Sequence, residues 1–223
     1  MRYLNKIVFI NSAAIRYSEV QLDGNIHLIG TQGVGKSTIL RAILFFYNAD
    51  TQRLGIPVEK KSYQDYYFPY ADSSIIYEVA REDGWFTVLS YKTMNRICYR
   101  FIASPYRPDL FIDEEGAPYP SDRIRSVLDK NGIKYSGAIS TYEEYRNILY
   151  GNSDNKRDYS CYSLMESGSY QNIIRTIQNV LLNSRLEADY IKQTIITSLN
   201  EADSVIDLSR YRSHLSGFEA QLN

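Results

Sequence analysis

The sequence predicts an α/β fold with an antiparallel strand subdomain, a helical lobe and the start of a coiled coil. Three observations lead to this prediction. A glycine-rich loop over residues 30–38 lies between an apolar run and a helical stretch. Three strand-like segments follow within residues 74–103, and beyond Pro105 the apolar residues recur at helical spacing. The expected division is an α/β lobe over residues 1–104, a mainly helical lobe over 105–204 and a coiled-coil arm over 205–223.

Three short strands are expected before the loop, at Lys6–Ile10, Tyr17–Leu22 and Ile26–Ile29. A tight turn at Asp23-Gly24-Asn25 separates the last two. The third strand leads directly into the glycine-rich loop, so the loop is predicted to follow a strand's C-terminal end. The helix after it, Ile39–Tyr47, is apolar on nearly all sides, which predicts burial between layers.

The loop itself reads Gly-Thr-Gln-Gly-Val-Gly-Lys-Ser-Thr, a complete Walker A motif. Gly30, Gly33 and Gly35 allow the backbone to curl, so that several N–H groups converge on phosphate oxygens at a helix N-terminus. Strand, spacing and helix all agree with this fingerprint. The motif therefore predicts a site for a nucleoside triphosphate.

Each residue at the end of the motif has its own expected role. Lys36 reaches the β- and γ-phosphates, the Ser37 hydroxyl is placed to ligate Mg²⁺, and Thr38 donates to the α-phosphate. The predicted cofactors are ATP and Mg²⁺.

The strands after the helix favour an added antiparallel subdomain over a parallel sheet. Residues 48–74 lose periodicity and contain several tyrosines, which predicts a long ordered insertion. The segments Ser74–Arg81, Trp85–Tyr91 and Arg96–Ala103 alternate, and Glu82-Asp83-Gly84 forms a turn, so we expect a meander with one buried face.

Helices dominate the remainder. Asp122–Lys130, Tyr142–Leu149, Tyr170–Asn183 and Leu186–Leu199 show helical spacing. A heptad-like seam closes the sequence with Leu208, Tyr211, Leu215, Phe218 and Leu222. The seam predicts either the start of a coiled coil or an ordinary amphipathic helix, and we expect the polypeptide to continue past Asn223.

Composition narrows the function classes. The net charge is −1 and hydrophobic residues make up 44% of the chain, which excludes a disordered chain and a globally cationic DNA-binding protein. No apolar run reaches the ~18 residues that a membrane helix needs. The expected location is cytoplasmic, with association with the nucleoid as an option.

A P-loop ATPase also needs an acidic strand end that holds Mg²⁺ through water. Leu110-Phe111-Ile112-Asp113-Glu114 is the one candidate, but its apolar run is short and Gly116 and Pro118 follow it. The pattern favours a solvated acidic turn. If Asp113 and Glu114 instead serve catalysis, the chain is a self-contained small NTPase or kinase.

The order of these elements resembles the N-terminal half-head of ATPases of the structural-maintenance-of-chromosomes (SMC) class, which carry an ABC-type head. Within that class it is similar to the MukB, MksB and JetC condensin-like branch and to long P-loop coiled-coil proteins of bacteria. The resemblance is specific for the Walker A motif, its flanking strands and the terminal heptads.

The resemblance implies a partner that completes the head. In that class a C-terminal segment supplies the signature motif, the acidic Walker B strand and the catalytic glutamate. Two heads then dimerise around two ATP molecules, and kleisin-like accessory subunits bind the complex. The implied role is chromosome maintenance, DNA repair or defence against plasmids. A RecF- or RecN-like repair ATPase is the alternative within the same broad class.

The resemblance also implies further site residues. The loop after the first strand, Asn11–Arg16, stands where such heads contact adenine and ribose, and Arg16 is expected to reach an α-phosphate. Gln171 is the candidate for the glutamine loop that touches Mg²⁺. Both residues also fit an ordinary surface position.

Basic residues alternate with aromatic ones in two parts of the chain. Lys60 and Lys61 lie in the insertion, and Lys92, Arg96 and Arg100 lie on the strands that follow. They predict either a local patch that contacts double-stranded DNA phosphates or solvated strand edges that resist aggregation.

Overall fold

The computed structural model describes residues 3–24, 26–48, 50–51, 54, 56, 60–94, 96–151 and 159–164. The strands are β1 (Tyr3–Ser12), β2 (Ile15–Gln21), β3 (Ser74–Arg81), β4 (Gly84–Thr93) and β5 (Arg96–Ile102). The helices are α1 (Lys36–Asn48), α2 (Tyr63–Tyr67), α3 (Ser121–Lys130) and α4 (Tyr142–Leu149), with 3₁₀ turns at Pro108–Leu110 and Ser160–Tyr162.

All five strands form one antiparallel sheet in the order β2-β1-β3-β4-β5. The central pairing joins β1 to β3, with Ile7 opposite Tyr77 and Phe9 opposite Ile75. The meander β3–β5 is therefore not a separate subdomain, because it continues the sheet begun by β1 and β2. The fold is mixed α/β with an antiparallel sheet.

Several predicted elements are confirmed. Strand β3 and helix α4 have the predicted bounds, and β4, β5 and α3 differ from theirs by one to two residues at their ends. The predicted turn is also present, since Arg81 pairs with Gly84 across Glu82 and Asp83. Alternating hydrophobicity and turn residues located these elements because both signals are local.

The strand predicted at Ile26–Ile29 is wrong. The segment belongs to no strand, and Ile29 is 91% exposed. Strand propensity records how well a side chain fits a paired, half-buried surface. Within the described residues this segment has no neighbouring strand to pair with, so the apolar run stays open to solvent.

Hydrophobic clusters cover both faces of the sheet, so the prediction of one buried face is wrong. On one face α1 and α4 pack against Ile7, Phe9 and Tyr77. On the other face α3 and the turn at Pro108–Leu110 pack against Val8 and Ile76. The helices after Pro105 supply this second cover, which the strand pattern alone could not reveal.

Helix α1 is buried on one side only. Ala42, Phe45 and Phe46 lie in the core, whereas Leu40 and Ile43 are only partly buried. The prediction that this helix is buried between layers on nearly all sides is therefore wrong for the flank that carries Leu40 and Ile43. The open flank lies beside the loop that precedes α1.

Two compact units divide the chain, Met1–Leu182 and Asn183–Asn223. The predicted boundaries at 104 and 204 stay predictions. No helix among the described residues is long and apolar enough to cross a bilayer. The predicted helices at Tyr170–Asn183 and Leu186–Leu199, the heptad seam and Gln171 lie outside the described residues.

Candidate nucleotide-binding site

The glycine-rich loop runs directly into the N-terminus of α1. Gly33 and Gly35 have φ angles of +90° and +94°, a region that L side chains rarely adopt. The first turn of the helix closes on the Gly35 carbonyl, which accepts the N–H groups of Thr38 and Ile39 at 3.0 and 3.1 Å. Unpaired N–H groups at a helix N-terminus, together with a loop that curls around them, form an anion-binding concavity.

The cradle is open where phosphate groups would lie. A Cβ atom added at Gly33 or Gly35 meets nothing within 4 Å, so neither glycine is required for packing. A Cβ at Gly30 would come within 2.7 Å of Val34 Cγ2, so the loop closes tightly there. Residues 30–34 are all exposed. The loop is thus shaped by its own backbone and is accessible from solvent, which fits a triphosphate.

Lys36 folds back over the loop. Its Nζ donates to the carbonyl oxygens of Gly30 and Thr31 at 2.5 and 2.6 Å. An ammonium group donates up to three hydrogen bonds and accepts none, so these carbonyls hold its charge inside the curl of the loop. A phosphate in the cradle would offer stronger, charge-assisted acceptors to the same group.

Ser37 and Thr38 follow as the first helical hydroxyls. Ser37 is exposed, so its hydroxyl is accessible to a metal ion. Thr38 is held from outside the loop, because its carbonyl accepts the Tyr67 hydroxyl at 2.7 Å. Its own hydroxyl lies 3.4 Å from the Tyr66 hydroxyl.

Helix α2, which lies inside the predicted insertion, also holds the β1–β2 hairpin. The Tyr67 carbonyl accepts the Ser12 hydroxyl at 2.8 Å and the Ala13 N–H at 3.4 Å. One residue therefore connects the hairpin with the start of α1. The Tyr67 ring is 1% exposed, and burial raises the pKa of its hydroxyl, which keeps this hydrogen-bond donor protonated.

The predicted loop Asn11–Arg16 is wrong in its extent, because β1 continues to Ser12 and β2 begins at Ile15, so that Asn11 and Arg16 belong to the two strands of a tight hairpin. Asn11 has a φ of +44°, and its side-chain Nδ2 donates to Asp72 Oδ2 at 2.9 Å. Its carbonyl accepts the Ser73 hydroxyl, so Asn11 anchors the hairpin to the end of the insertion. Arg16 is exposed on the edge strand β2. Contact of either residue with a nucleotide stays a prediction.

Four tyrosine hydroxyls form hydrogen bonds to α1 along its length. These phenols come from α2, β3, α4 and the residue after α4, and each donates to a backbone carbonyl of the helix. The pairs are Tyr67 with Thr38, Tyr77 with Ala42, Tyr145 with Phe46 and Tyr150 with Tyr47, at 2.7, 3.1, 2.6 and 2.6 Å. The last two satisfy carbonyls in the final turn, where a helix lacks its own donors. The sequence analysis did not predict this role for the tyrosines.

An apolar groove opens on the exposed flank of α1. It has a volume of about 350 Å³ and is lined by Leu4, Leu22, Ile26, Leu28, Leu40, Ile43 and Tyr47. The residues that were expected to form the strand before the loop therefore face a groove instead of a neighbouring strand. The groove and the loop are contiguous along the chain.

The predicted basic patch is divided by burial. Lys60, Lys61 and Arg96 are exposed, and Lys92 Nζ lies 3.5 Å from Asp65 Oδ1. The Ser62 hydroxyl and then Lys92 lower the pKa of the Asp65 carboxyl. Arg100 is only 5% exposed, so it does not belong to a surface patch.

Arg100 lies instead within the sheet's second cluster. Its guanidinium stacks over the Tyr135 ring at 5.1 Å, and Nη2 donates to the Tyr91 hydroxyl at 3.5 Å. Strand alternation explains the correction, because Arg100 is opposite Leu89 on the face that α3 covers. A basic residue on a strand can point to either face, and the sequence did not show that both faces are covered.

Asp113 forms a self-contained turn. Its Oδ1 accepts the backbone N–H groups of Glu115 and Ala117 at 3.0 and 2.7 Å, and Gly116 has a φ of +80°. The preceding Phe111 packs in the cluster on the sheet face opposite α1. The carboxylate is therefore engaged in its own turn, and the neighbouring Phe111 lies on the sheet face away from α1.

Comparison with known proteins gives one result. Residues 12–215 match the model of a family described as "Protein of unknown function (DUF3584)". No curated protein and no solved structure matches the chain. The family match begins at the last residue of β1 and covers β2, the glycine-rich loop, β3–β5 and the four helices described above.

Proposed function

Because the chain belongs to the DUF3584 family, a family of long coiled-coil proteins broadly similar to MukB and RecC, we propose that it is the ATP-binding N-terminal half of an SMC-type ATPase head. The observation that carries the proposal is the open glycine loop that runs into α1 at Lys36. The complete protein would organise DNA in chromosome maintenance, repair or defence against plasmids.

The loop's own groups would bind and orient the triphosphate. The N–H groups at the start of α1 favour anionic oxygens, and Lys36 exchanges the carbonyls of Gly30 and Thr31 for the β- and γ-phosphates. The Ser37 hydroxyl would ligate Mg²⁺, which neutralises charge on the phosphates when bound. These residues supply binding and positioning, while the groups that activate water come from another segment.

That other segment is a C-terminal half-head from the same or another chain, and the groove beside α1 supports it. Ile26 and Leu28 line the groove together with Leu40 and Ile43 of α1. The segment before the loop belongs to no strand within the described residues, so it offers both backbone groups and apolar side chains to an incoming strand. Pairing with a strand of the second half-head would bury Ile29.

A self-contained NTPase that uses Asp113 and Glu114 is less well supported. Asp113 already accepts two backbone N–H groups in its own turn. Its turn also packs on the sheet face away from α1. Moving this carboxylate to the loop would require the turn to unfold and to leave its cluster.

Dimerisation and DNA contact complete the proposal. Two heads would enclose two ATP molecules, kleisin-like subunits would bind the assembly, and DNA phosphates would contact the exposed lysines near α2 together with Arg96. Such contacts depend strongly on salt because they release counterions. Replacing Lys61 or Arg96 by glutamate should weaken DNA binding on all sequences alike and should reduce the salt slope by about 1 for each lost contact.

Nucleotide binding by the full-length protein is the direct test. Isothermal titration calorimetry with MgATP should give saturable binding that Lys36→Ala abolishes. Lys60→Ala is the matched control, because Lys60 is an exposed lysine outside the loop, and it should retain the wild-type affinity. Equal affinity in the Lys36→Ala and wild-type proteins would contradict the proposal.

The rate of ATP hydrolysis tests whether one half-head binds the nucleotide while the other supplies the groups that activate water. The full-length protein should hydrolyse ATP in a Lys36-dependent manner. Residues 1–223 alone should show almost no turnover, since the groups that activate water would come from the completing half-head. Robust Lys36-dependent hydrolysis by this segment would contradict the need for a completing half-head.

A further inference from the structure

Tyr66 lies next to the part of the loop that marks the nucleoside end of a bound triphosphate. Lys36 belongs to the β- and γ-phosphate end of a Walker A loop, whereas the hydroxyl at the position of Thr38 belongs to the α-phosphate. The Tyr66 hydroxyl is 3.4 Å from Thr38 Oγ1. On that assignment Tyr66 lies at the α-phosphate end of the site, which is the end to which a nucleoside would be attached.

The helix that carries Tyr66 is fixed relative to α1. Ser62 caps α2 by accepting the Asp65 N–H at 3.1 Å. The Tyr63 ring stacks on Tyr67 at 4.1 Å and on Phe45 of α1 at 4.3 Å. Together with the bond from Tyr67 to the Thr38 carbonyl, these contacts hold α2 in place before any ligand arrives.

Tyr66 differs from its two neighbours in the helix. Tyr63 and Tyr67 are buried, whereas Tyr66 is 39% exposed. Its ring stands edge-on to Tyr67, with centroids 5.0 Å apart and an interplanar angle of 81°. A fixed aromatic ring with an accessible surface binds a nucleoside without a large ordering cost.

We propose that Tyr66 packs against the nucleoside of the bound triphosphate, as a positioning residue supplied by the insertion. This inference rests on the proposed nucleotide site. It adds a contact that belongs to the ribose and base and not to the phosphates. Because every base offers a π-face, stacking of this kind tolerates different bases, so ATP and GTP should depend on Tyr66 to a similar degree.

The test compares ATP with inorganic tripolyphosphate, which has the phosphate chain but no nucleoside. Calorimetric titration of the full-length protein measures both affinities in the wild type and in Tyr66→Ala. The variant should bind ATP about 5- to 150-fold more weakly, the equivalent of the about 1–3 kcal/mol that a stacked base contributes. Its affinity for tripolyphosphate should stay within about twofold of wild type.

Two further variants separate ring, hydroxyl and general surface effects. Tyr66→Phe keeps the ring and loses only the bond to Thr38, so most of the ATP affinity should remain. Tyr70→Ala is the matched control, because Tyr70 is a 62% exposed tyrosine of the same insertion, and it should leave both affinities unchanged. Thermal melting of each variant verifies that the fold is intact.

The outcomes distinguish the inference from the proposed function. If Lys36→Ala weakens ATP and tripolyphosphate while Tyr66→Ala weakens neither, the nucleotide site stands and the role of Tyr66 is refuted. If Tyr66→Ala weakens both ligands equally, the residue only supports the loop, and the inference is again wrong. If Lys36→Ala has no effect on either ligand, the proposed function itself fails.

Discussion

Replacing Gly35 by alanine tests whether the loop's backbone shape is needed for phosphate binding. Gly35 has a φ of +94°, and an added Cβ meets no atom within 4 Å, so the substitution introduces no clash. Its cost is conformational, about 1–2 kcal/mol for an L side chain in the left-handed region. Whether this cost lowers the affinity for MgATP or the free energy of unfolding depends on the state in which residue 35 is held at this angle.

In the free protein the loop can relax, because residues 30–34 are exposed and the hydrogen bonds from Lys36 to the carbonyls of Gly30 and Thr31 are local to the loop. The strain then appears when phosphate forces the loop back into shape. We expect Gly35→Ala to weaken MgATP by about 5- to 30-fold, which corresponds to 1–2 kcal/mol, and to change the free energy of unfolding little.

Gly132→Ala is the matched control. Gly132 has a φ of +64° and open space around its Cβ, but it terminates α3, where its N–H bonds to the Asp129 carbonyl and Ile133 N–H bonds to the Leu128 carbonyl. The helix fixes this conformation in the folded state. The same strain should therefore lower the free energy of unfolding by about 1–2 kcal/mol and leave ATP affinity unchanged.

Urea denaturation gives the free energy of unfolding of each variant, and calorimetric titration gives its affinity for MgATP. The reasoning predicts a loss of affinity for Gly35→Ala alone and a clear loss of stability for Gly132→Ala alone. Unchanged ATP affinity in Gly35→Ala, or equal losses of affinity in the two variants, would refute it.

Three further predictions concern the tyrosines that form hydrogen bonds to α1 and the exposed segment before the loop. Tyr145→Phe removes the buried donor to the Phe46 carbonyl. This change should lower the free energy of unfolding, measured by urea denaturation, by about 1 kcal/mol. An unchanged free energy of unfolding would count against the hydrogen bond. Burial raises the pKa of Tyr77 and Tyr145, so above about pH 10 the unfolded chain loses protons that the folded chain keeps. Stability is then full below pH 10 and should fall by about 1.4 kcal/mol per pH unit for each such tyrosine above it, measured by urea denaturation at pH 9 to 11; a flat profile would contradict their burial. Ile29→Ser should change the free energy of unfolding by less than about 0.5 kcal/mol, because Ile29 is exposed. The same variant should bind less of a separately expressed C-terminal half-head in a pull-down assay. Undiminished binding would exclude Ile29 from the contact between the two half-heads.

The shape of the glycine-rich loop was predictable because its determinants are local. The glycines set the backbone angles, and Lys36 follows them at fixed spacing, so no distant contact is needed to recognise the motif. The same holds for β3 and α4, whose bounds follow from periodicity and from the N-cap at Thr141, which accepts the Glu144 N–H.

Contacts between distant residues were not predictable. Tyr67 meets Thr38 from 29 positions away, and Tyr145 meets Phe46 from 99. A tyrosine fits strands, helices and interfaces alike, so its presence does not reveal its partner. The position of α2 beside the loop, and with it the role inferred for Tyr66, came only from the structure.

The predicted strand at Ile26–Ile29 failed for a related reason. The apolar run correctly indicates a segment suited to pairing, but it does not say which strand would pair with it. Within the described residues the sheet ends at β2 and β5, and Ile29 faces solvent. Hydrophobicity reports the preference of a segment, while pairing requires a partner.

The central claim is that the loop around Lys36 holds a triphosphate. A crystal structure of the full-length protein with a non-hydrolysable MgATP analogue tests it most directly. We expect Lys36 Nζ to leave the carbonyls of Gly30 and Thr31 for the β- and γ-phosphate oxygens, with the Ser37 hydroxyl on Mg²⁺. Lys36 still bound to those carbonyls at saturating nucleotide, with no density in the loop, would contradict the claim.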